Sequence, residues 1–118
     1  MQTLPVLNEP AYGDERLCNA LGPALSLSKA EGQEVLVFLM GDAITCAKAP
    51  QRTPDGYCNL ERMLKGLEPR DVPVGCCRTC LGARGMTEDA LAAPRVARRS
   101  TLAELTEWTV WADMVVTF

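Results

Sequence analysis

Glu34-Val35-Leu36-Val37-Phe38-Leu39-Met40, followed by Gly41-Asp42, is the stretch that decides the fold. After the glutamate it is unbroken Val, Leu, Phe and Met, and a turn pair closes it. A run this short and this apolar predicts a strand buried on both faces, the environment of a parallel sheet. Parallel neighbours need long crossovers, so the flanking sequence is expected to alternate helix and strand.

Upstream, Thr3 to Asn8 predicts a first strand and Glu9 to Gly13 a turn cluster. Asp14 predicts the cap of a helix running from Glu15 towards Glu31, with Leu17, Leu21, Leu25 and Ser28 on one face. Gly22-Pro23 interrupts that face. An internal proline loses a hydrogen bond and clashes with the preceding turn, so a kink or a helix in two pieces is expected. Gly32 closes the helix. Downstream, Ala43, Cys46 and Ala47 predict a short helix and Pro50 to Gly56 a polar loop. Leu60, Met63, Leu64 and Leu67 mark an amphipathic helix that Pro69 ends. Val72 to Cys76 predicts the third strand. Thr87 to Ala92 predicts a short helix capped by Thr87, and Arg95 to Arg99 a short fourth strand. Thr101-Leu102-Ala103-Glu104 is a capping box opening a helix that turns Leu105, Trp108 and Ala112 inward. Asp113 to Phe118 predicts the last strand. This alternation predicts an α/β sandwich on a mostly parallel sheet.

The 118 residues make one domain, 1–118, long enough to bury a core without staples. A formal charge of -3 argues against nucleic acid as a partner. The longest apolar run, Val35 to Met40, is too short to span a bilayer. Met1 to Pro5 carries no basic, signal-like start. A cytoplasmic protein with no membrane partner is expected. In a reducing compartment six cysteines point to catalysis, metal or buried thiols rather than to a disulfide framework.

No histidine is present, so histidine-based catalysis is excluded and thiol chemistry leads. Val74-Gly75-Cys76-Cys77-Arg78-Thr79-Cys80-Leu81-Gly82-Ala83-Arg84-Gly85 puts three thiols where the third strand runs out. Open α/β sheets bind ligands beyond the carboxyl ends of their strands. The loops there are Asn8 to Asp14, Gly41-Asp42 and Cys76 to Gly85. A thiolate is the reactive form of cysteine, and helix N-termini and arginines favour it. Cys77 is therefore the candidate nucleophile; its plain alternative is a buried strand-end cysteine. Cys80 either resolves a persulfide or disulfide on Cys77 or fills the loop interior. Cys76, adjacent in the strand, is expected to face the opposite side and pack in the core. Arg78 and Arg84 lower the thiol pKa or hold an anion, or are solvated. Asn8, Tyr12 and Asp42 lie on the same predicted rim, Asp42 equally as a helix N-cap. Thr79 donates a hydrogen bond to the thiolate or stabilises the turn. Arg95, Arg98 and Arg99 form a basic cluster. Cys18, Cys46 and Cys58 are expected to be apolar fillers on helices, with no second paired spacing to suggest zinc. No glycine-rich phosphate motif is present, and neither a metal nor a prosthetic cofactor is expected.

Several stretches together resemble a known family. They are LNEPAYG (7–13), VFLMGDA (37–43), GYCNL (56–60) with Met63-Leu64, CRTC (77–80) with ARG (83–85), STLAELTEWT (100–109) and Ala112-Asp113 to Phe118. The chain resembles the DsrE/DsrF-like family, YchN type, over essentially its whole length. That resemblance implies a three-layer α/β/α fold with a five-stranded parallel sheet. It implies homotrimers or homohexamers, and a sulfur relay in which sulfane sulfur rides on a cysteine as a persulfide. The family's reactive cysteine matches Cys77. Sulfur-donor or acceptor proteins, or small persulfides, are the implied partners. The competing expectations are a dithiol redox protein using Cys77 and Cys80, and a non-enzymatic module that binds a small anion or a protein. Pro5, Gly22-Pro23, Pro50 and the extra Cys76 depart from the family pattern.

Overall fold

The computed structural model describes residues 1–93 and 96–118. The chain runs β1 (Gln2–Leu7), α1 (Arg16–Lys29), β2 (Glu34–Val35), β3 (Val37–Leu39), a 3-10 helix (Gly41–Ala47) and α2 (Leu60–Lys65). It continues through β4 (Val74–Cys77), α3 (Arg78–Ala83), β5 (Ala97–Ser100), α4 (Leu102–Trp111) and β6 (Met114–Thr117). Every strand pairing among the described residues is parallel.

β2 and β3 are two halves of one strand. Gln2 pairs Glu34 and Val6 pairs Phe38, so both halves hold the same register along β1. The amides of Leu36 and Met40 still reach the carbonyls of Thr3 and Leu7. The break has a residue-level cause. In this register Thr3, Pro5 and Leu7 are the β1 residues whose N–H groups would face β2 and β3, and Pro5 has none. The six paired segments therefore occupy five strand positions, in the order β6, β1, β2/β3, β4, β5.

This order fixes the layers. From β1 the chain steps in one direction to β5, then returns to lay β6 on the other side of β1. Parallel crossovers keep one hand, so reversing direction moves the helix to the opposite face. One face accordingly buries a large core under α1, α2, α3 and the 3-10 helix, with Leu7, Leu21, Val37, Leu39, Ile44 and Leu64 fully enclosed. Among the described residues, the buried apolar side chains of the other face are Leu4, Val6, Phe38 and Cys77, against Leu105, Trp108 and Ala112 of and just after α4. The Phe38 and Trp108 rings meet edge to face at 5.9 Å, and the Arg98 guanidinium lies 5.9 Å over Trp108. The three-layer sandwich is as expected, and the Leu105, Trp108 and Ala112 stripe packs inward.

Three local expectations are corrected. Of the two outcomes expected at Gly22-Pro23, the helix in two pieces does not occur: α1 is one helix through Pro23, with Leu17, Ala20, Leu21 and Ala24 buried. A mid-helix proline costs about 3 kcal/mol. Burying Leu17 and Leu21 contributes roughly 1.5–3 kcal/mol each, enough to hold the helix together. Pro23 itself faces solvent. Asp14 is not the N-cap residue; Glu15 occupies that position, while the Asp14 carboxylate accepts from the Arg16 amide at 2.9 Å. Cys18 and Cys58 are not separate fillers. They form a disulfide, Cα–Cα 6.4 Å, tying α1 to the loop before α2. Forty residues of separation gave no sequence sign of their proximity.

Elsewhere the elements follow their sequence signals. Asn59 caps α2 by accepting from the Arg62 amide at 2.9 Å, and the Thr101 hydroxyl caps α4 by accepting from Glu104 at 3.1 Å. The Glu104 carboxylate turns instead to Ser100 and Arg98. The segment after Thr87 is a single 3-10 turn, Glu88–Ala90. The fourth strand is Ala97–Ser100; Arg95 lies outside the described residues. No helix among the described residues is long and apolar enough to cross a membrane.

Candidate functional site

β1, β3 and β4 are neighbours, so the loops at their carboxyl ends converge. The Asn8 carbonyl lies beside Gly41, 3.7 Å from where a Cβ would stand. Gly41 has φ +57, a conformation that favours glycine, and its amide donates to Cys80 Sγ at 3.1 Å. The ends of β1 and β3 thus meet α3 at Gly41.

Cys76 and Cys77 alternate across β4. Cys76 enters the large core and Cys77 the small one, as strand geometry requires. Cys76 is pushed up to about 12, first by burial and then by Glu88, and Cys46 is pushed up further by burial with Cys76 beside it. Neither is a nucleophile at neutral pH.

Cys77 is the N-cap residue of α3 and is 4 % exposed. Burial is the largest influence on its thiol and raises its pKa. The Cys80 thiol beside it raises it again, while the main-chain groups of Cys80 and Thr79 pull it down. Cys80, one turn on, is half-buried and lies above it.

Arg84 is not a free cation at this rim. Its guanidinium is paired with the Asp42 carboxylate, its Nε donating at 3.1 Å, and also donates to the Cys80 carbonyl at 3.0 Å. The pair straps α3 to the 3-10 helix across the mouth of the site. Asp42 is thus an ion-pair partner; Met40 holds the N-cap position of that helix. Arg78 and Thr79 are exposed on the outer side of α3. Tyr12 belongs elsewhere. Its hydroxyl donates to Gln51 Oε1 and accepts from the Leu60 amide at 3.1 Å, and its ring stands 6.1 Å from Tyr57. It anchors the 48–60 segment beside the Cys18–Cys58 disulfide. Cys77, Cys80, Arg84, Asp42 and the Asn8 carbonyl therefore come together, with the Thr79 main chain at Cys77, while the Arg78 and Thr79 side chains are exposed and Tyr12 lies elsewhere. Sequence reasoning missed the Gly41 amide as a partner of Cys80; a glycine directly after a buried strand was its signal.

Comparisons agree with this architecture. The model of the DsrE/DsrF-like family matches residues 1–118. Protein YchN of Escherichia coli K12 is 39% identical over 114 residues, 96% of this chain and 95% of its own. An uncharacterized protein of Methanocaldococcus jannaschii is 33% identical over 118 residues, all of both chains. The crystal structure of the Escherichia coli ychN protein superposes with a TM-score of 0.88 over 100% of both chains, at 38% identity. A protein of unknown function from Methanobacterium thermoautotrophicum shares the fold alone, with a TM-score of 0.76 at 14% identity over 99% of this chain and 98% of its own.

Proposed function

The chain belongs to the DsrE/DsrF-like family, and on that premise we propose that it is a sulfur-relay protein that carries sulfane sulfur as a persulfide on Cys77. The observation that carries the reading is the position of that sulfur. It sits at a strand-to-helix junction, with main-chain groups of Thr79 and Cys80 favouring its anionic form, beneath a second thiol. In the step, the Cys77 thiolate attacks the terminal sulfur of a persulfide donor, R–S–SH. A Cys77 S–S bond forms, the donor S–S bond breaks, and the donor leaves as thiolate. Transfer to an acceptor thiol is the same exchange in reverse. At rest Cys77 is buried and protonated. Swinging the Cys80 side chain aside removes one raising influence, the neighbouring thiol, and leaves the lowering main-chain groups in place. Shielding by Cys80 then protects the loaded persulfide from stray thiols.

The contact between the two thiols also favours a second reading, a Cys77–Cys80 dithiol redox couple. Anion binding by Arg84 is disfavoured, because Asp42 already occupies its guanidinium. Assembly of the family type is part of the proposal. Leu102 and Val110 of α4 and Met114 and Val115 of the edge strand β6 are exposed apolar residues that another copy would cover. The test of the site is peptide mass mapping after exposure to a polysulfide. One added sulfur atom on the Cys77 peptide, retained in Cys80→Ser and lost in Cys77→Ser, is expected. An unreactive Cys77 in both the wild-type protein and Cys80→Ser would remove the relay reading.

A further inference from the structure

We propose that Cys18 and Cys58 form a second, reversible thiol–disulfide centre, separate from the Cys77–Cys80 loop, that exchanges with a protein dithiol and governs the order of the 52–58 segment. Three observations carry this. First, the bond is accessible. Both cysteines are only partly buried, and they line an open cleft of about 240 Å³ between Tyr12, Tyr57 and Leu60. Cys46, Cys76 and Cys77, by contrast, are enclosed.

Second, the fold does not need the bond to join what it joins. Leu17 and Leu21 of α1 and Leu60 and Leu64 of α2 already share one buried cluster. Disulfides substitute for a core mainly where a small domain lacks one. A cross-link over an existing core is better placed to switch than to staple.

Third, what the bond does restrain is a segment with little else to hold it. Residues 51–58 contain no helix or strand. Gln51 is well tied: its side chain donates to the Cys46 and Lys48 carbonyls and accepts from Tyr12 and the Glu61 amide, and its own amide donates to the Glu61 carboxylate at 2.7 Å. Beyond it the ties thin to Thr53 with Asn59, the Tyr57 amide to the Pro54 carbonyl, and the Tyr57 ring beside Tyr12. Arg52, Pro54, Asp55, Gly56 and Tyr57 are exposed. Segments held by few contacts open at low cost.

The exchange balances as follows. One thiolate of the dithiol attacks a sulfur of the pair, breaking the Cys18–Cys58 bond and forming a mixed disulfide. The second thiol of the dithiol then breaks the mixed bond. The dithiol leaves as its cyclic disulfide, two electrons pass to the protein, and its two protons end on Cys18 and Cys58.

The test uses the folded chain under air, with dithiothreitol as the dithiol and trypsin cleavage after Arg52 as the reporter. In the oxidised protein Cys18 and Cys58 are expected to resist alkylation. Native dithiothreitol should make both alkylatable and speed cleavage after Arg52 about ten-fold. Oxidised dithiothreitol should reverse both effects. Cys58→Ser should cleave fast with or without reductant; Cys18→Ser should do the same if one variant folds poorly. Free thiols at 18 and 58 in the oxidised protein, a bond that yields only after denaturation, or an unchanged cleavage rate would each overturn the proposal.

Discussion

At the scale of single residues, the same element presents two cysteines to opposite environments. Strand alternation sets that placement, and Gly75 leaves room for the core on the Cys77 side. A Cβ there would stand 2.9 Å from the Phe38 ring and 3.2 Å from Ser100 Cβ, so only glycine lets Phe38 close the small core over β4 next to Cys77. The influences on Cys77 give a direct expectation. Cys80→Ala removes the neighbouring thiol and part of the cover, so alkylation of Cys77 near pH 8 should accelerate, by about ten-fold for each unit its thiol falls. Iodoacetamide rates by peptide mass spectrometry check this; unchanged or slower modification would show that Cys80 does not gate the sulfur. The core thiols carry a stability signature of definite sign. Cys76 is raised from 9.0 to about 12 in the folded state, so between those values the folded protein holds a proton the unfolded chain has lost. Stability from this group is intact below pH 9 and falls as pH rises towards 12, by at most about 1.4 kcal/mol per pH unit. Cys46 acts in the same direction. Urea midpoints from pH 8 to 10.5 should drop, and Cys46→Ala with Cys76→Ala should flatten that part of the curve. The Arg84–Asp42 strap could not be read from the chain, because the partners are 42 residues apart and each was plausible alone.

At the scale of elements, most of the architecture was legible because periodicity and punctuation agreed. Thr101 caps α4 as its capping-box pattern predicts, and the apolar run at 34–40 is a buried parallel strand. What was not legible arose where packing and local chemistry opposed each other. Pro5 leaves the strand in place but interrupts its ladder. Pro23 leaves α1 whole, since Leu17 and Leu21 outweigh it. α4 has thin support, because it alone covers a face whose buried apolar cluster, among the described residues, is Leu4, Val6, Phe38 and Cys77. Its attachment runs through Phe38, and Phe38 needs Gly75. Gly75→Ala should therefore destabilise the fold by about 1–3 kcal/mol through overpacking. It should also disturb the Trp108 environment, seen as a shift in tryptophan emission. Wild-type stability with an unshifted spectrum would mean the Phe38–Trp108 contact does not hold α4.

At the scale of the whole molecule, the sandwich is lopsided: one face is thickly covered, and the α4 and β6 side ends in exposed apolar residues and an edge strand that, among the described residues, pairs on one side alone, with β1. Such an edge calls for a partner. Sedimentation should find an oligomer that Val110→Glu, at the most exposed of these positions, weakens; a monomer at all concentrations would contradict the assembly. The site itself was legible in outline, since strand order alone brings the three loops together. The Cys18–Cys58 bond was not, because a core sufficient for folding made a disulfide unnecessary.

The account turns on whether Cys77 hands sulfur on or merely closes a disulfide with Cys80. The deciding measurement is a single-turnover transfer, in which Cys80→Ser protein is loaded with polysulfide, desalted and mixed with a small thiol, and both products are weighed. The relay account predicts one sulfur atom on Cys77 that passes to the thiol, leaving the protein at its starting mass. Failure of Cys80→Ser to load or to transfer, with wild type yielding only a Cys77–Cys80 disulfide and released sulfide, would contradict it.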